Sequence, residues 1–210
     1  MFSGIVESFA PLIRSERGNQ VTFFSLKRPA HFDDLRTGDS IAVNGVCLTL
    51  ESFDEETMQF ALGPETLKIT GWGQFVESSH SSPSLPSFNL ERSLRFGDRI
   101  HGHLLSGHVD AMGQVTSLSP LGEALEMVVV APEEMSPLLW KKGSVGINGV
   151  SLTVNQVSYS NNQVVFSVCL IPETLRRTNL GGLQAGDPVT LEADSMARAL
   201  WHWQQLSRQD

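Results

Sequence analysis

The side chains able to do chemistry in this sequence come in matched pairs. Cys47 and Ser151 each lie two residues beyond an Asn-Gly dipeptide, and each is followed two positions later by a threonine, Thr49 or Thr153. Residues two apart on a strand share a face, so each pair offers a thiol or hydroxyl beside a second hydroxyl. Small residues packing inside a narrow barrel give this pattern. So do two similar pockets that hydrogen-bond a neutral polar ligand, and their one chemical difference then suggests two copies of one ligand treated unequally. The third feature is the run His101-Gly-His103-Leu-Leu-Ser-Gly-His108. On a strand, His101 and His103 share a face and could ligate a metal. No Cys, Asp or Glu lies within the run to complete a ligand set, and no metal is expected. Imidazole in general exchanges protons near neutral pH, so His108 suits a base at a pocket mouth, or a core histidine whose ring is satisfied; the residues leave both open.

These groups sit inside an internal repeat. Asn44-Gly45-Val46-Cys47-Leu48-Thr49-Leu50 returns as Asn148-Gly149-Val150-Ser151-Leu152-Thr153-Val154, 104 positions later. Pro64-Glu65-Thr66-Leu67 returns as Pro172-Glu173-Thr174-Leu175, 108 positions later, and Ser3-Gly4-Ile5-Val6 is echoed by Ser106-Gly107-His108-Val109, 103 positions later. That echo aligns His108 with Ile5, an apolar position read as part of the barrel. A period near 100 residues is the size of a small domain and too long for a solenoid unit. The chain therefore reads as a tandem of similar domains, 1–98 and 99–194, meeting near residues 95–102.

Each half reads as β. Residues 21–26, 40–43, 47–50 and 58–62 are short runs of strand formers separated by turn residues, and 125–130, 145–147, 151–154 and 164–170 repeat the order. Asn44-Gly45 and Asn148-Gly149 are hairpin turns, because both residue types tolerate positive φ. The expected fold is all-β: two tandem six-stranded, Greek-key-like barrels with short helices. Pro132-Glu133-Glu134-Met135 opens one such helix, and Pro64–Leu67 and its copy form single turns capping the barrels. A C-terminal α-helix over 195–210 starts with Ser195 as N-cap and puts Met196, Ala199, Leu200, Trp203 and Leu206 on one stripe. The helix either packs on its own barrel or associates subunits through Trp201, Trp203 and Leu206; a closed barrel has no obvious groove for it, which favours association.

Composition narrows the function. Hydrophobic residues make up 40% and charged residues 18%, an ordinary globular balance. Acids outnumber bases 23 to 15, with no basic run longer than two, which excludes a nucleic-acid binder that tracks phosphates. No apolar run approaches the ~20 residues a membrane span needs. Glu7 interrupts the first apolar stretch, so no secretory signal is read, and two cysteines without CxxC spacing fit the cytoplasm. The sequence lacks GxGxxG, P-loop, HExxH and GxSxG patterns, which argues against dinucleotide, nucleoside-triphosphate and common hydrolase chemistry.

Taken together, Met1-Phe2-Ser3-Gly4-Ile5-Val6, Asn44–Thr49, Gly102–Asp110, Gly146–Val154 and Ile171–Leu175 resemble one family over nearly the whole chain: riboflavin synthase of the α-type, built from two lumazine-binding repeats. The resemblance implies dismutation of two 6,7-dimethyl-8-ribityllumazine molecules into riboflavin and 5-amino-6-(ribitylamino)uracil, by four-carbon transfer and without cofactor. It implies a homotrimer held by C-terminal helices, with a site where one subunit's first barrel meets its neighbour's second, and lumazine synthase as a candidate partner. It assigns His108, Ser151, Thr153 and Asp194 to the second barrel's catalytic contribution and Cys47 with Thr49 to the first. Phe2 is expected beside the first barrel's ligand. The implied binding positions continue with Gly4, Ile5, Val6, Leu48, Ala61, Leu62, Gly63, Pro64, Glu65 and Thr66, and with Gly107, Val109, Lys142 and Leu152. Cys169, Leu170, Ile171, Pro172, Glu173 and Thr174 complete them. One departure is the Ser/Pro-rich stretch 71–87, expected to be a mobile loop, where the second repeat keeps a short Gly-Asp turn. A non-catalytic lumazine or flavin carrier is the alternative; a flavin-dependent reductase would need a βαβ pattern that 100–194 lacks.

Overall fold

The computed structural model describes residues 1–77, 86–160 and 162–208. Its first six strands are β1 (Ser8–Arg17), β2 (Thr22–Lys27), β3 (Ser40–Val43), β4 (Val46–Phe53), β5 (Thr57–Leu62) and β6 (Ser87–Arg92). They close an antiparallel barrel in the order β1-β2-β5-β4-β3-β6. The next six are β7 (Ala111–Leu121), β8 (Ala124–Pro132), β9 (Ser144–Ile147), β10 (Val150–Ser160), β11 (Gln163–Leu170) and β12 (Pro188–Ala193). They close a second barrel as β7-β8-β11-β10-β9-β12, the same connectivity shifted by six strands. Register shifts at Leu50/Ser52 and Val154/Gln156 recur at matching places, as do those at Leu12/Arg14 and Val115/Ser117. Such bulges tighten strand curvature, which closing a small barrel demands.

Both Asn-Gly turns form as expected, with Asn44 and Gly45 at φ 43° and 80° and Asn148 and Gly149 at 47° and 76°. Alternation along β4 puts Val46, Leu48 and Leu50 in one core; Val150, Leu152 and Val154 do the same from β10. The cores differ in filling. The first is aromatic, with Phe24, Phe60 and Phe88 fully buried, whereas the second is aliphatic apart from Phe166. Phe32 and Leu35, from the β2–β3 connection, join the first core, and Met135 and Leu138 occupy the corresponding place in the second.

The short helices are α1 (Pro64–Thr70), α2 (Gln74–Glu77) and α3 (Pro172–Arg177), and Glu133–Leu138 and Asn179–Gly182 are 3-10 turns. Part of the expected loop over 71–87 is therefore ordered structure. Trp72 is buried and packs edge-on to Phe88, with Phe75 beside it, because the aromatic barrel has room for rings that a Ser/Pro loop would not supply. The rest of that expectation, 78–85, lies outside the described residues. The last helix, α4 (Ser195–Leu206), begins one residue earlier in capping terms than expected: Asp194, not Ser195, is the N-cap, its Oδ1 accepting the Met196 N–H at 2.8 Å. Among the described residues, no helix is long and apolar enough to cross a membrane.

Candidate active site on the outer barrel faces

Because Val46, Leu48 and Leu50 point inward, Cys47 and Thr49 must point outward, and Ser151 and Thr153 do so on the second barrel. Cys47 and Ser151 are half-buried and both threonines exposed. The pairs thus do not fill the barrel interiors. Strand register extends each pair into rows. Cys47 faces Ala42, and Ala42 faces Glu91; Ser151 faces Gly146, and Gly146 faces Glu192. One row along, Ser40 opposes Thr49 and Ser144 opposes Thr153. Phe60 on β5 is inward opposite Leu50, so Ala61 turns outward beside Thr49, and Cys169 holds the equivalent place after Val168. Each row ends at a short helix: Gly63 caps α1, and Ile171 caps α3. Two equivalent polar patches result. One carries Cys47, Thr49, Ala61 and the Gly63–Thr66 turn; the other carries Ser151, Thr153, Cys169 and the Ile171–Thr174 turn.

A ribbon of two chain segments runs between the barrels. Phe2 and Leu105 exchange antiparallel hydrogen bonds, Phe2 N–H to Leu105 O at 2.8 Å and Leu105 N–H to Phe2 O at 3.0 Å. Beyond this bridge the segments cross to opposite barrels. Ser151 N–H donates to Gly4 O at 2.8 Å, and Val6 enters the second core. Cys47 N–H donates to Gly107 O at 2.8 Å, and Val109 packs on the first core. Two expectations need correction. His108 follows Gly107, whose carbonyl takes the Cys47 N–H, so its backbone runs against the first barrel. It is also exposed, as is Ile5 at 45%, so neither is an interior barrel position and His108 is not a core histidine. Phe2 is fully buried with Ala42 and Leu105 in a small cluster on which Cys47 packs, so its ring supports the patch without lining it.

The crossing brings His103 onto Ser151. The Ser151 hydroxyl accepts the His103 backbone N–H at 3.1 Å and lies 2.6 Å from His103 Nδ1. Burial lowers the His103 pKa and so favours the neutral ring, with the Asp194 carboxylate pulling the other way. A neutral ring can take the Ser151 hydroxyl proton in a hydrogen bond at Nδ1, leaving the buried Nε2 without a partner among the described residues. This hydroxyl–imidazole pair was not among the residues expected at the site; His103 drew notice only as a metal ligand. No group of three or more His, Cys, Asp or Glu side chains converges among the described residues.

Two buried carboxylates were missed altogether. Glu91 accepts the Ser3 N–H at 2.6 Å and hydroxyl at 2.9 Å on Oε1, and the Gly4 N–H at 3.0 Å on Oε2. Glu192 repeats this with Ser106 (both 2.7 Å) and Gly107 (3.1 Å). Burial pushes the Glu91 carboxyl up to about 7 and raises Glu192 likewise, with the three hydrogen bonds on each pulling the other way. The signal was in the repeat, as Asn89-Leu90-Glu91 and Thr190-Leu191-Glu192, but an acid in an alternating strand reads as a solvated face.

The remaining candidates fall as follows. Lys142 is exposed at a left-handed φ of 69°, next to β9. Glu65 is exposed, and the exposed Glu173 is paired with Arg176 and Arg177. Leu62, Leu152 and Leu170 face the cores rather than the patches, so only their backbones could meet a ligand. Asp194 is committed to capping α4. A polar cavity of about 910 Å³ lies beside β3 and β6, bordered by Glu91, Arg95, Asp98 and His101; of the expected site residues it includes only Ile5.

The lumazine binding domain profile matches twice, over residues 3–92 and 106–194, which are the two barrels with their crossing segments. The riboflavin synthase of Chlamydia pneumoniae is 38% identical over 195 residues, covering 92% of this chain and 90% of that protein. That of Escherichia coli (strain K12) is 36% identical, covering 95% and 90%, and that of Brucella abortus (strain 2308) 34%, covering 94% and 95%. In fold, the chain resembles the crystal structure of LumP complexed with 6,7-dimethyl-8-(1'-D-ribityl) lumazine, with a TM-score of 0.75 at 21% identity over 92% of this chain and 99% of that one. With the duplicated profile and full-length relatives agreeing, the chain belongs to the riboflavin synthase family.

Proposed function

We propose that the protein dismutates 6,7-dimethyl-8-ribityllumazine: one molecule gives a four-carbon unit to a second, yielding riboflavin and 5-amino-6-(ribitylamino)uracil. The observation that carries this reading is the pair of register-equivalent outer patches that differ in their reactive groups, the Cys47 thiol on one and the Ser151 hydroxyl with His103 on the other. Two like patches suit two copies of one ligand, and unlike reactive groups suit donor and acceptor roles. The substrate's ribityl chain and pyrimidinedione are neutral and rich in donors and acceptors, which strand-end backbone, Thr49, Thr153 and the α1 and α3 turns can meet without a basic patch. The two products contain between them all the atoms of two substrates, so no oxidant, reductant or net water enters.

The protein's part is orientation and proton transfer. The lumazine C7 methyl is acidic because its anion is delocalised over the ring, so a weak base suffices once the rings are stacked. Ser151 hydrogen-bonded to neutral His103 supplies a base–hydroxyl pair at one patch; His108, exposed one residue beyond the Gly107 carbonyl that takes the Cys47 N–H, offers a second imidazole. The α4 stripe turns Met196, Leu200, Trp203 and Leu206 to solvent, exposed by 51% or more, while Ala197 and Trp201 pack inward. Exposed apolar surface of that kind wants a partner, and a homotrimer joining first and second barrels of neighbouring subunits is the assembly we propose. A cytoplasmic setting fits the two free cysteines, and lumazine synthase is a candidate partner.

The test is incubation of the purified protein with the dimethyl lumazine alone, followed by absorbance and chromatography. One riboflavin per two lumazines consumed, insensitive to chelator, supports the reading. Binding without conversion over hours turns the protein into a carrier, the reading that the likeness to LumP keeps in view.

A further inference from the structure

Each crossing glycine uses both of its backbone polar groups, and uses them on different barrels. Gly4 gives its N–H to Glu91 of the first barrel at 3.0 Å and takes the N–H of Ser151 of the second on its carbonyl at 2.8 Å. Gly107 gives its N–H to Glu192 of the second barrel at 3.1 Å and takes the N–H of Cys47 of the first at 2.8 Å. Neither peptide has slack. Gly4 and Gly107 sit at φ 72° and 82°, and a Cβ on them would fall 2.5 Å from Ser151 Cβ and 2.4 Å from Cys47 Cβ. The serine before each glycine adds two more hydrogen bonds to the same carboxylate. A buried, three-fold hydrogen-bonded carboxylate thus fixes the N–H side of each glycine, and its carbonyl side forms the floor under a reactive side chain.

We propose that Glu91 and Glu192 are positioning residues acting crosswise: the glutamate of each barrel sets the geometry of the other barrel's ligand patch through a single glycine residue. Glu91 places Ser151, and Glu192 places Cys47. The catalytic consequence of this arrangement rests on the lumazine reading above, but the crosswise geometry can be tested without it.

The probe is the alkylation rate of a thiol by iodoacetamide, which follows local exposure and opening. In a Cys169→Ser background, Glu192→Gln should speed labelling of Cys47 on the order of tenfold, the weight of one hydrogen bond to a charged group. Glu91→Gln should leave that rate unchanged although Glu91 and Cys47 belong to the same barrel. With Cys47→Ser, Cys169→Ser and a reporter thiol introduced by Ser151→Cys, the pattern should invert. Should either glutamine variant fold poorly, Ser106→Ala and Ser3→Ala weaken the same clamps more gently and should show the same crossed pattern. Labelling that rises only within the mutated barrel, or equally in both, overturns the proposal. Riboflavin formation by the parent protein is scored separately, so crossed labelling in a protein that never turns over lumazine would sink the enzymatic reading and leave the relay standing.

Discussion

A serine hydroxyl held 2.6 Å from a neutral imidazole is a means of moving a proton, and at Ser151 the ring belongs to a residue 48 positions away. Ser151→Ala should therefore lower kcat by about 10²-fold, the usual scale for a positioned acid–base group. KM should change little, because Thr153 and the strand-end backbone remain to bind; steady-state kinetics with the lumazine checks this. Glu91 gives a pH prediction of defined sign. Its folded pKa of about 7 exceeds the ordinary 4.5, so the native state holds the proton more tightly than the unfolded chain. That contribution to stability is complete below pH 4.5 and is lost as pH rises through 7. It amounts to at most about 3 kcal/mol, taking the shift at its full value. Urea midpoints of the parent should fall across that window, and Glu91→Gln should flatten the fall. A slope unchanged by the substitution would assign the pH dependence elsewhere.

At the scale of elements, the two Asn-Gly turns do more than reverse β3 into β4 and β9 into β10. They meet head to head: a Cβ on Gly149 would lie 2.6 Å from Gly45 N, and one on Gly45 would lie 2.8 Å from Gly149 N. Asn179 stitches the same junction, donating from Nδ2 to Asn44 Oδ1 and Ser87 O and accepting from Asn89 Nδ2 on Oδ1. Gly149→Ala combines a positive-φ penalty with a backbone clash between barrels and should cost about 3 kcal/mol, at the upper end for single substitutions. Chemical denaturation measures it. A cost near zero would mean that the barrels can slide apart without penalty. The hairpins were readable because Asn-Gly is a local signal. Their mutual contact was not, since nothing local distinguishes a turn that faces solvent from one that faces its own repeat.

On the scale of the whole molecule, an apolar helix face left in solvent asks for a second chain. Leu200 and Trp203 are 62% and 69% exposed on α4, while the helix is anchored to its own barrel by Ala197, Trp201 and the Arg198–Asp110 ion pair. Leu200→Glu places a charge in the centre of that face without disturbing the anchor. The protein should then sediment as a single chain, with riboflavin formation falling along with the mass if the active site is shared between subunits. A trimer that survives the substitution would remove α4 from the role proposed for it.

Sequence alone determined the two-fold repeat, the barrel strands carrying Cys47 and Ser151, the hairpin turns and the placing of those residues on one strand face with Thr49 and Thr153. Each follows from short-range rules: alternation with period two, turn chemistry, and similarity between halves at a constant offset. Only the tertiary structure decided which barrel each crossing segment serves. The stretch around Ser3-Gly4 and the stretch around Ser106-Gly107 are each continuous with one barrel and hydrogen-bonded to both, so chain order hid the His103–Ser151 contact and the two glutamate clamps. The reason is physical. Pairing between segments 100 residues apart is set by which unsatisfied backbone groups and buried acids end up side by side, and a carboxylate becomes a clamp only once folding has removed its water.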